Sequence, residues 1–575
     1  MGLAPTIDIT AEDRKTVLEL LHRYLPDTNA WVYGSRVKWT SRPQSDLDLV
    51  VFATPRQRWQ VSDLREAFEE SNLPFRVDLF VWDEVPEQFR KQIESEHAVL
   101  VRQRNRVPRS GETSHETKRF GDLFSAPPRN GLTRPKAMRG VGTKMVNMGE
   151  LFAHARLNNV SMDRVPLGRS EAERFLLKKG DLLFARQSLV LEGAGKCSLF
   201  LGDDEPVTFE SHVTRVRLDQ SIASPEYYFY YLQSHHGRSA IRAISEQGAG
   251  ASGIRGRDLV TLDVLWRPLP EQRAVAHILG TLDDKIELNR QMNETLEEMA
   301  RALFKSWFVN FDPVHAKATL KRHTTTIPQR GSDWSVERAR AFLDSMDPDI
   351  AALFPDRFVD SEHGPIPEGW EVRALGECFE VERGLSYKGL ALSSFGMPMH
   401  NLNSVFEGGG YKSDGIKYYS GDYRPRHVVK PGDVIVANTE QGHDRLLIGF
   451  AAIVPKYFGD NGLFSHHTYR VRPKSSVADA PDFVCRLLNT QAIHDTVSRY
   501  ATGTTVNMLP VDALKIPRFV APPPQVVTKF STIAEVARTR QEEFIAESRI
   551  LVGLRDALLP KLISGNMRVK DQFRR

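Results

Sequence analysis

Three aspartates and a Gly-Ser pair near the N-terminus have the types and order that metal-assisted chemistry on a phosphate requires. The run Trp31-Val32-Tyr33-Gly34-Ser35-Arg36 is followed by Asp46-Leu47-Asp48-Leu49-Val50-Val51-Phe52, and Asp78 stands inside a second apolar run, Arg76-Val77-Asp78-Leu79-Phe80-Val81. Two apart on a strand, Asp46 and Asp48 project from one face. A third carboxylate on a neighbouring strand completes an all-oxygen cage suited to Mg²⁺ and substrate phosphates. Gly34-Ser35 would bring backbone N–H groups to a triphosphate. Paired metals would then stabilise the attacking and leaving oxygens of a nucleotidyl transfer. Asp46, Asp48 and Asp78 are therefore the catalytic and Mg²⁺-binding candidates, and Gly34 and Ser35 the nucleotide-binding ones. The plainer alternative is that Asp46 and Asp48 only cap a turn.

The elements that must hold these groups are short apolar strands, which puts residues 1–107 in an α/β domain. Arg104–Thr117 (RNRVPRSGETSHET) is polar with Pro, Gly and Ser and reads as a linker. At 575 residues the chain is too long for one core, so three to four domains are expected. With 41% hydrophobic and 26% charged residues it has an ordinary globular composition. The longest apolar runs, such as Leu47–Ala53, are too short to span a bilayer, and the N-terminus lacks a basic-then-apolar leader. The cytoplasm is the expected compartment, with no membrane partner. Cys197, Cys378 and Cys485 stand alone, which excludes a paired-cysteine zinc site and argues for buried reduced thiols. A net charge of +4 permits nucleic-acid binding without arguing for it.

Beyond the linker the chain repeats itself. Phe175–Ser188 (FLLKKGDLLFARQS) matches His427–Glu440 (HVVKPGDVIVANTE), and Gly180-Asp181 aligns with Gly432-Asp433 at an offset of 252. Ser211-His212-Val213-Thr214 meets Ser465-His466-His467-Thr468 at 254, and Arg215-Val216-Arg217 meets Arg470-Val471-Arg472 at 255. Pro270-Glu271-Gln272 meets Pro523-Pro524-Gln525 at 253. Four blocks in one order at nearly one offset mark two copies of a module. Each copy reads as short strands and turns, then a proline-rich stop, then a long helix. In copy one Leu279, Leu282, Ile286, Asn289, Asn293, Leu296, Ala300, Leu303 and Trp307 fall at three- and four-residue steps, the seam of a coiled coil with two polar interruptions. Copy two repeats this less cleanly through Phe530, Ile533, Ala537, Phe544, Leu551, Leu554 and Leu558, with Pro560 and Gly565 expected to close it. Either stripe alone fits a core helix; two matched ones predict an antiparallel pair that acts as a spacer.

The motifs PLPEQRAVAHILGTLDDKIELNRQMNE (Pro268–Glu294), LFKSWFVNFDPVHAK (Leu303–Lys317), LFPDRFVDSEHGPIPEGWEVRALGE (Leu353–Glu377) and LRDALLPKLISGNMRV (Leu554–Val569) resemble, in order, the specificity subunits of type I restriction–modification systems. The Gly-Ser, Asp-x-Asp and later Asp resemble the minimal nucleotidyltransferases, similar in outline to the DNA polymerase beta superfamily. The combined reading is an α+β multidomain chain. A nucleotidyltransferase-like α/β domain over 1–107 and a linker over 108–117 precede two mixed α/β target-recognition domains, 118–270 and 365–522. A central spacer helix (271–309), a connecting segment (310–364), a C-terminal spacer helix (523–565) and a tail (566–575) complete it, the long helices forming an antiparallel coiled-coil pair.

This resemblance implies a subunit that reads a bipartite site in double-stranded DNA and docks methyltransferase (modification) and restriction/translocase subunits, the specificity module itself needing no cofactor. The alternative is an Mg²⁺-dependent nucleotidyltransferase whose repeated half only selects its target. Asn310–Val314 (NFDPV) is discounted as a methyltransferase loop because Val314 replaces a second proline, and no glycine-rich cofactor turn or Walker loop accompanies it. DNA contact is expected from the loops Gly248–Arg257 (GAGASGIRGR) and Thr502–Asn507 (TGTTVN), through Arg255, Arg257, Thr504 and Asn507. Glycine lets backbone approach phosphate, Arg can fork onto guanine and Asn onto adenine; the plain alternative is two surface loops.

Overall fold

The computed structural model describes the chain apart from residues 1–6, 26–27, 39, 43–44, 54–56, 70, 72, 86–89, 91–92, 95, 102–115, 189, 191–192, 249–250, 325–333, 394, 442–444, 475–479, 504–505 and 570–575. It divides into two units, Met1–Ser114 and His115–Arg575.

In the first unit, α1 (Ala11–Tyr24) is capped by the Thr10 hydroxyl, which accepts from the Asp13 N–H at 3.1 Å. Strands β1 (Ala30–Tyr33), β2 (Leu47–Val51), β3 (Val77–Val81) and β4 (His97–Val101) form one sheet in the order β3-β2-β1-β4. β2 runs antiparallel to β1 and parallel to β3. α1 and α2 (Arg58–Glu69) bury Val17, Leu21, Val61, Leu64 and Phe68 against Ala30, Val32, Leu47, Leu49 and Val51. Because side chains alternate along a strand, the opposite sheet face carries Tyr33, Asp48, Asp78 and Phe80.

In the second unit the duplication is visible strand by strand. One globular head has a sheet in the order Phe124–Asn130, Val213–Leu218, Leu182–Ala185, Cys197–Gly202, Arg156–Asn158; the other has Phe379–Arg383, Thr468–Pro473, Val434–Ala437, Ala451–Ile453. Leu182 pairs with Val216 and Val434 with Val471, the same register at the same place. A smaller parallel pair also recurs, Val207–Phe209 on Thr143–Val146 and Gly462–Phe464 on Met397–His400. The repeated Gly-Asp and Arg-Val-Arg blocks prove to be two halves of one clamp. Asp181 accepts the Lys178 N–H at 2.8 Å and both Arg217 guanidinium donors at 2.6 Å. Asp433 accepts the Lys430 N–H at 2.8 Å and both Arg472 donors at 2.9 Å. Gly180 and Gly432 supply the left-handed turn ahead of each aspartate, at φ 91° and 93°. Glu116 and Thr117, expected in the linker, begin a strand Glu116–Arg119 paired to Asp263–Trp266.

Each head is followed by a long helix: Leu269–Phe304, 36 residues, and Pro524–Ser564, 41 residues. At ~1.5 Å per residue these rods are about 54 and 62 Å long. They lie antiparallel: Arg267 donates to the Ile563 carbonyl, Arg555 pairs with Asp283, Asn289 donates to Glu547 and Ser548, and Gln541 donates to the Asn293 carbonyl. The seam of the first rod is as the spacing predicts, with Leu279, Asn289 and Ala300 buried. On the second rod Ile533 and Leu554, expected in the seam, are 41% and 46% exposed. Ala534, Gln541, Ser548 and Arg555 face the partner instead, three of them through hydrogen bonds that an apolar stripe cannot reveal. Nor does Pro560 end that helix. It continues to Ser564 because Leu562 and Ile563 are buried in the first head's core, and Gly565 then caps it at φ 74°.

Each head packs on both rods, at opposite ends. The first buries Val275, Ala276 and Leu279 with Leu562 and Ile563; the second buries Phe304, Trp307 and Phe308 with Val526, Phe530 and Ala534. Ion pairs lock the second contact: Arg486 forks onto Glu297 at 3.0 Å and Arg538 reaches Asp482 at 3.1 Å. The first rod leaves the seam through a π turn, Lys305–Val309, and Phe311 at φ 53°. The NFDPV segment is thus a packed corner, with Val314 fully buried.

Candidate active site and nucleic-acid interface

Asp48 and Asp78 stand on neighbouring strands, with Asp46 just ahead of one of them. Asp48 lies beside Asp78 in the β2–β3 register and opposite Tyr33 across β1, and Asp46 stands two residues before Asp48, at the entrance to β2. Burial, then the charges of Asp78 and Asp46, raise the Asp48 pKa above the ordinary aspartate value. Burial, then the charges of Asp48 and Asp78, push the Tyr33 hydroxyl far up, so it stays protonated. Arg76 sits 3.3 Å from Asp78 at the rim.

Gly34 opens the 3-10 turn Gly34–Arg36 at φ 79°, and a Cβ there would come 2.2 Å from an Asp48 carboxylate oxygen. Only glycine lets this turn close over the carboxylate. Ser35 is part-buried in the same turn, and its carbonyl accepts the Thr40 N–H at 3.1 Å. Arg36, whose role local spacing does not reveal, is buried. It donates to the Asp8 carbonyl at 2.7 Å and to the Ser45 carbonyl at 2.6 Å, and its guanidinium lies 4.0 Å over the Phe75 ring. It thereby ties down the residue next to Asp46. Its place directly after Gly-Ser marks it only as part of the same turn.

Hard carboxylate oxygens that repel one another on one face are the donor set a divalent cation satisfies. Among the described residues no three carboxylate, imidazole or thiol groups are already gathered as a metal cage. Ligation would draw the side chains inward.

The loops expected to meet DNA border matched strand pairs. Glu246–Gly248 pairs with Ala251–Gly253, which also pairs with Gln187–Ser188; in the second head Thr439–Gln441 pairs with Val506–Met508. Arg255 and Arg257 are exposed, their side chains 50% and 73% accessible, and each has an acidic neighbour, Glu246 and Asp258. Thr504 lies outside the described residues. Asn507 is buried, while Val506 and Met508 on either side of it are exposed. One step of strand alternation turns the amide inward.

Residues 16–106 match the family described as polymerase beta, nucleotidyltransferase, and residues 114–298 match the type I restriction modification DNA specificity domain. The chain is 24% identical over 459 residues to the type I restriction enzyme HindI specificity subunit of Haemophilus influenzae, covering 73% of this chain and 94% of that one. The chain belongs to the type I specificity subunits and carries an N-terminal nucleotidyltransferase domain. That domain is 39% identical over 95 residues to the probable protein adenylyltransferase MntA of Haemophilus influenzae, covering 16% of this chain and 83% of the relative. A crystal structure of the type I system S subunit from M. genitalium aligns over 79% of this chain and 98% of its own, with 14% identity and a TM-score of 0.45. No helix of this specificity subunit, among the described residues, is long and apolar enough to cross a membrane.

Proposed function

We propose that the two heads each read one half of a split duplex site, that the rods set the distance between the halves, and that the paired rods dock the methyltransferase subunits to which restriction subunits add. One observation carries this reading: matched heads grip opposite ends of the same antiparallel rods. From Leu279, in the first head's core, to Phe304, in the second's, the rod rises by about 38 Å. This is close to one turn of B-DNA, about 34–36 Å, so both heads can meet one face of a straight duplex. Methylated adenines mapped in cells with and without this gene test it. A site of two short constant halves around a fixed unread spacer is expected, and methylation unchanged by deletion would sink it.

For the N-terminal domain we propose transfer of an adenylyl group from ATP to a hydroxyl of a protein partner, an accessory activity appended to the specificity subunit. Support comes from the Asp48–Asp78 register, the glycine closed over Asp48, and likeness to a probable protein adenylyltransferase. Asp46, Asp48 and Asp78 would hold Mg²⁺, which when bound neutralises the phosphates and polarises the one attacked. The chain's own part is to present Gly34-Ser35 N–H groups to the phosphates. The attacking oxygen forms a bond to the α-phosphorus, pyrophosphate leaves, and the hydroxyl proton passes to a carboxylate of the cluster or to water. Incubation with labelled ATP, Mg²⁺ and the proteins of the same system tests this. Label is expected on one partner and lost in Asp46→Asn and Asp78→Asn; labelling unaffected by both changes would refute the assignment.

A further inference from the structure

The second head contains a cleft that neither reading loop forms. It has a volume of about 670 Å³ and is lined by Glu382, Arg383, Ser386, Arg424, Arg426 and His427, where the edge strand Phe379–Arg383 ends beside the turn Pro425–His427. Its charges are unevenly spent. Glu382 is committed to Arg470, a guanidinium only 3% exposed, whose Nε donates to it at 2.8 Å. Arg426 Nε lies 3.2 Å from His427 Nε2 and the Arg424 backbone nitrogen 3.4 Å from His427 Nδ1, and the neutral ring accepts from one of the two. Arg383, Arg424 and Arg426 are exposed, and none forms an ion pair among the described residues. Burial and then the surrounding arginines lower the His427 pKa, so the imidazole remains an uncharged spacer. Three unneutralised guanidiniums around one open cleft favour an anion with several oxygens at phosphate spacing.

The first head lacks this arrangement. Pairing of Arg129 with Arg215 and of Glu382 with Arg470 puts Arg129 and Glu382 at one position, and Asn130 at that of Arg383. Gly131 and Gly384 follow, each with its missing Cβ within 2.2 Å of a neighbouring carbonyl oxygen, which fixes the match. Arg215 donates to the Arg174 carbonyl as Arg470 does to that of Arg426, so Arg174 and Arg426 also correspond. The first head thus has Asn130 where the second has Arg383, and Ala172 stands two residues before Arg174 where Arg424 stands two before Arg426. Two of the three free cations are absent there.

We propose that Arg383, Arg424 and Arg426 form a backbone-phosphate clamp for duplex DNA, a three-arginine cluster that the first head does not repeat. This rests on the reading of the heads as DNA-binding. Phosphate contacts position a protein on the duplex without reading its sequence. Each one adds about 0.9 to the steepness with which log affinity falls with log salt.

The test is binding of the full chain to a labelled 40-base-pair duplex of mixed sequence across a salt series. Relative to the parent, the triple variant Arg383→Gln/Arg424→Gln/Arg426→Gln is expected to lose about 2.7 from that slope. Between 50 and 200 mM salt this makes the parent's affinity fall about 40-fold further than the variant's. Arg424→Gln alone should lose about 0.9, and the three-lysine counterpart should keep the parent slope, since a phosphate accepts a point charge. Thermal unfolding matched to the parent shows the heads intact; should the triple variant not fold, the Arg424→Gln slope decides. A parent that binds duplex while the glutamine variants retain its slope overturns the clamp alone. A parent that binds no duplex at any salt overturns the DNA reading and the clamp with it.

Discussion

Lengthening both rods by one heptad separates the spacing role of the helices from a role in docking alone. Seven residues inserted after Asp284 in the first rod and seven before Leu551 in the second fall between the contacts that belong to either head, since the first head's Arg156 reaches Asp284 and the second head's Tyr457 and Phe458 lie against Arg549. Each insertion adds about 10.5 Å of rise, or about three base pairs of duplex at ~3.4 Å each. A heptad returns the seam to within about 20° of its starting face, so the rods stay paired and both heads keep their seats. The duplex itself turns by about 100° over three base pairs, and twisting it back to meet both heads slows methylation. The assay is sequencing of methylated adenines in cells that carry the partner methyltransferase. The expected product is the parent's two half-sites, unchanged in sequence and moved about three base pairs apart. Methylation that persists at the parent spacing would refute the rod as a ruler.

The other outcomes follow from single side chains. Asp78→Asn removes the largest charge acting on Asp48, so the Asp48 titration followed by carboxyl NMR should move down toward the ordinary aspartate range; an unmoved titration would show that burial alone raises it. His400 is buried with its pKa lowered to about 4 from 6.5, so its folded state binds fewer protons than the unfolded chain. The second head should therefore lose stability as pH falls from 6.5 to 4, by up to about 3 kcal/mol, and unfolding of His400→Gln should lack that part of the acid limb. Asn289 is buried in the seam with its carbonyl oxygen unpartnered among the described residues, while its amide donates to Glu547 at 2.8 Å. Asn289→Leu should raise the unfolding temperature yet loosen the register, read as methylation spread over neighbouring spacings; a lower unfolding temperature would count against the seam assignment.

What the sequence made legible was local and periodic. Asp46 and Asp48 share a face because the strand period is two, and the first rod's seam shows because its contacts are apolar at three- and four-residue steps. What it hid depends on pairing between distant segments. Asp78 meets Asp48 through a parallel register that no local pattern specifies. The Gly-Asp and Arg-Val-Arg blocks announced a duplication, but that Asp181 holds Arg217, 36 residues on, required the folded sheet. The second rod's seam runs through Gln541, Ser548 and Arg555, which a hydrophobic template scores as surface. Asn507 has the chemistry of an adenine reader, yet it lies in the strand Val506–Met508 and faces inward.

The two copies have kept and changed different things, and the division follows function. The aspartate–arginine clamp, the left-handed glycine before it and the buried arginine that caps a neighbouring carbonyl persist in both heads, since each fixes the sheet's shape. Around that buried arginine the charges differ. Glu382 neutralises Arg470 in the second head, whereas in the first Arg215 has Arg129 beside it, and burial together with Arg217 and Arg129 makes its charge costly to hold. A module that had to meet the same half-site twice would be held to the same charges at its rim as well as in its frame. Heads that share a frame but carry different cations at matched positions suit an asymmetric site, with the rods supplying the only quantity the halves must share, the distance between them.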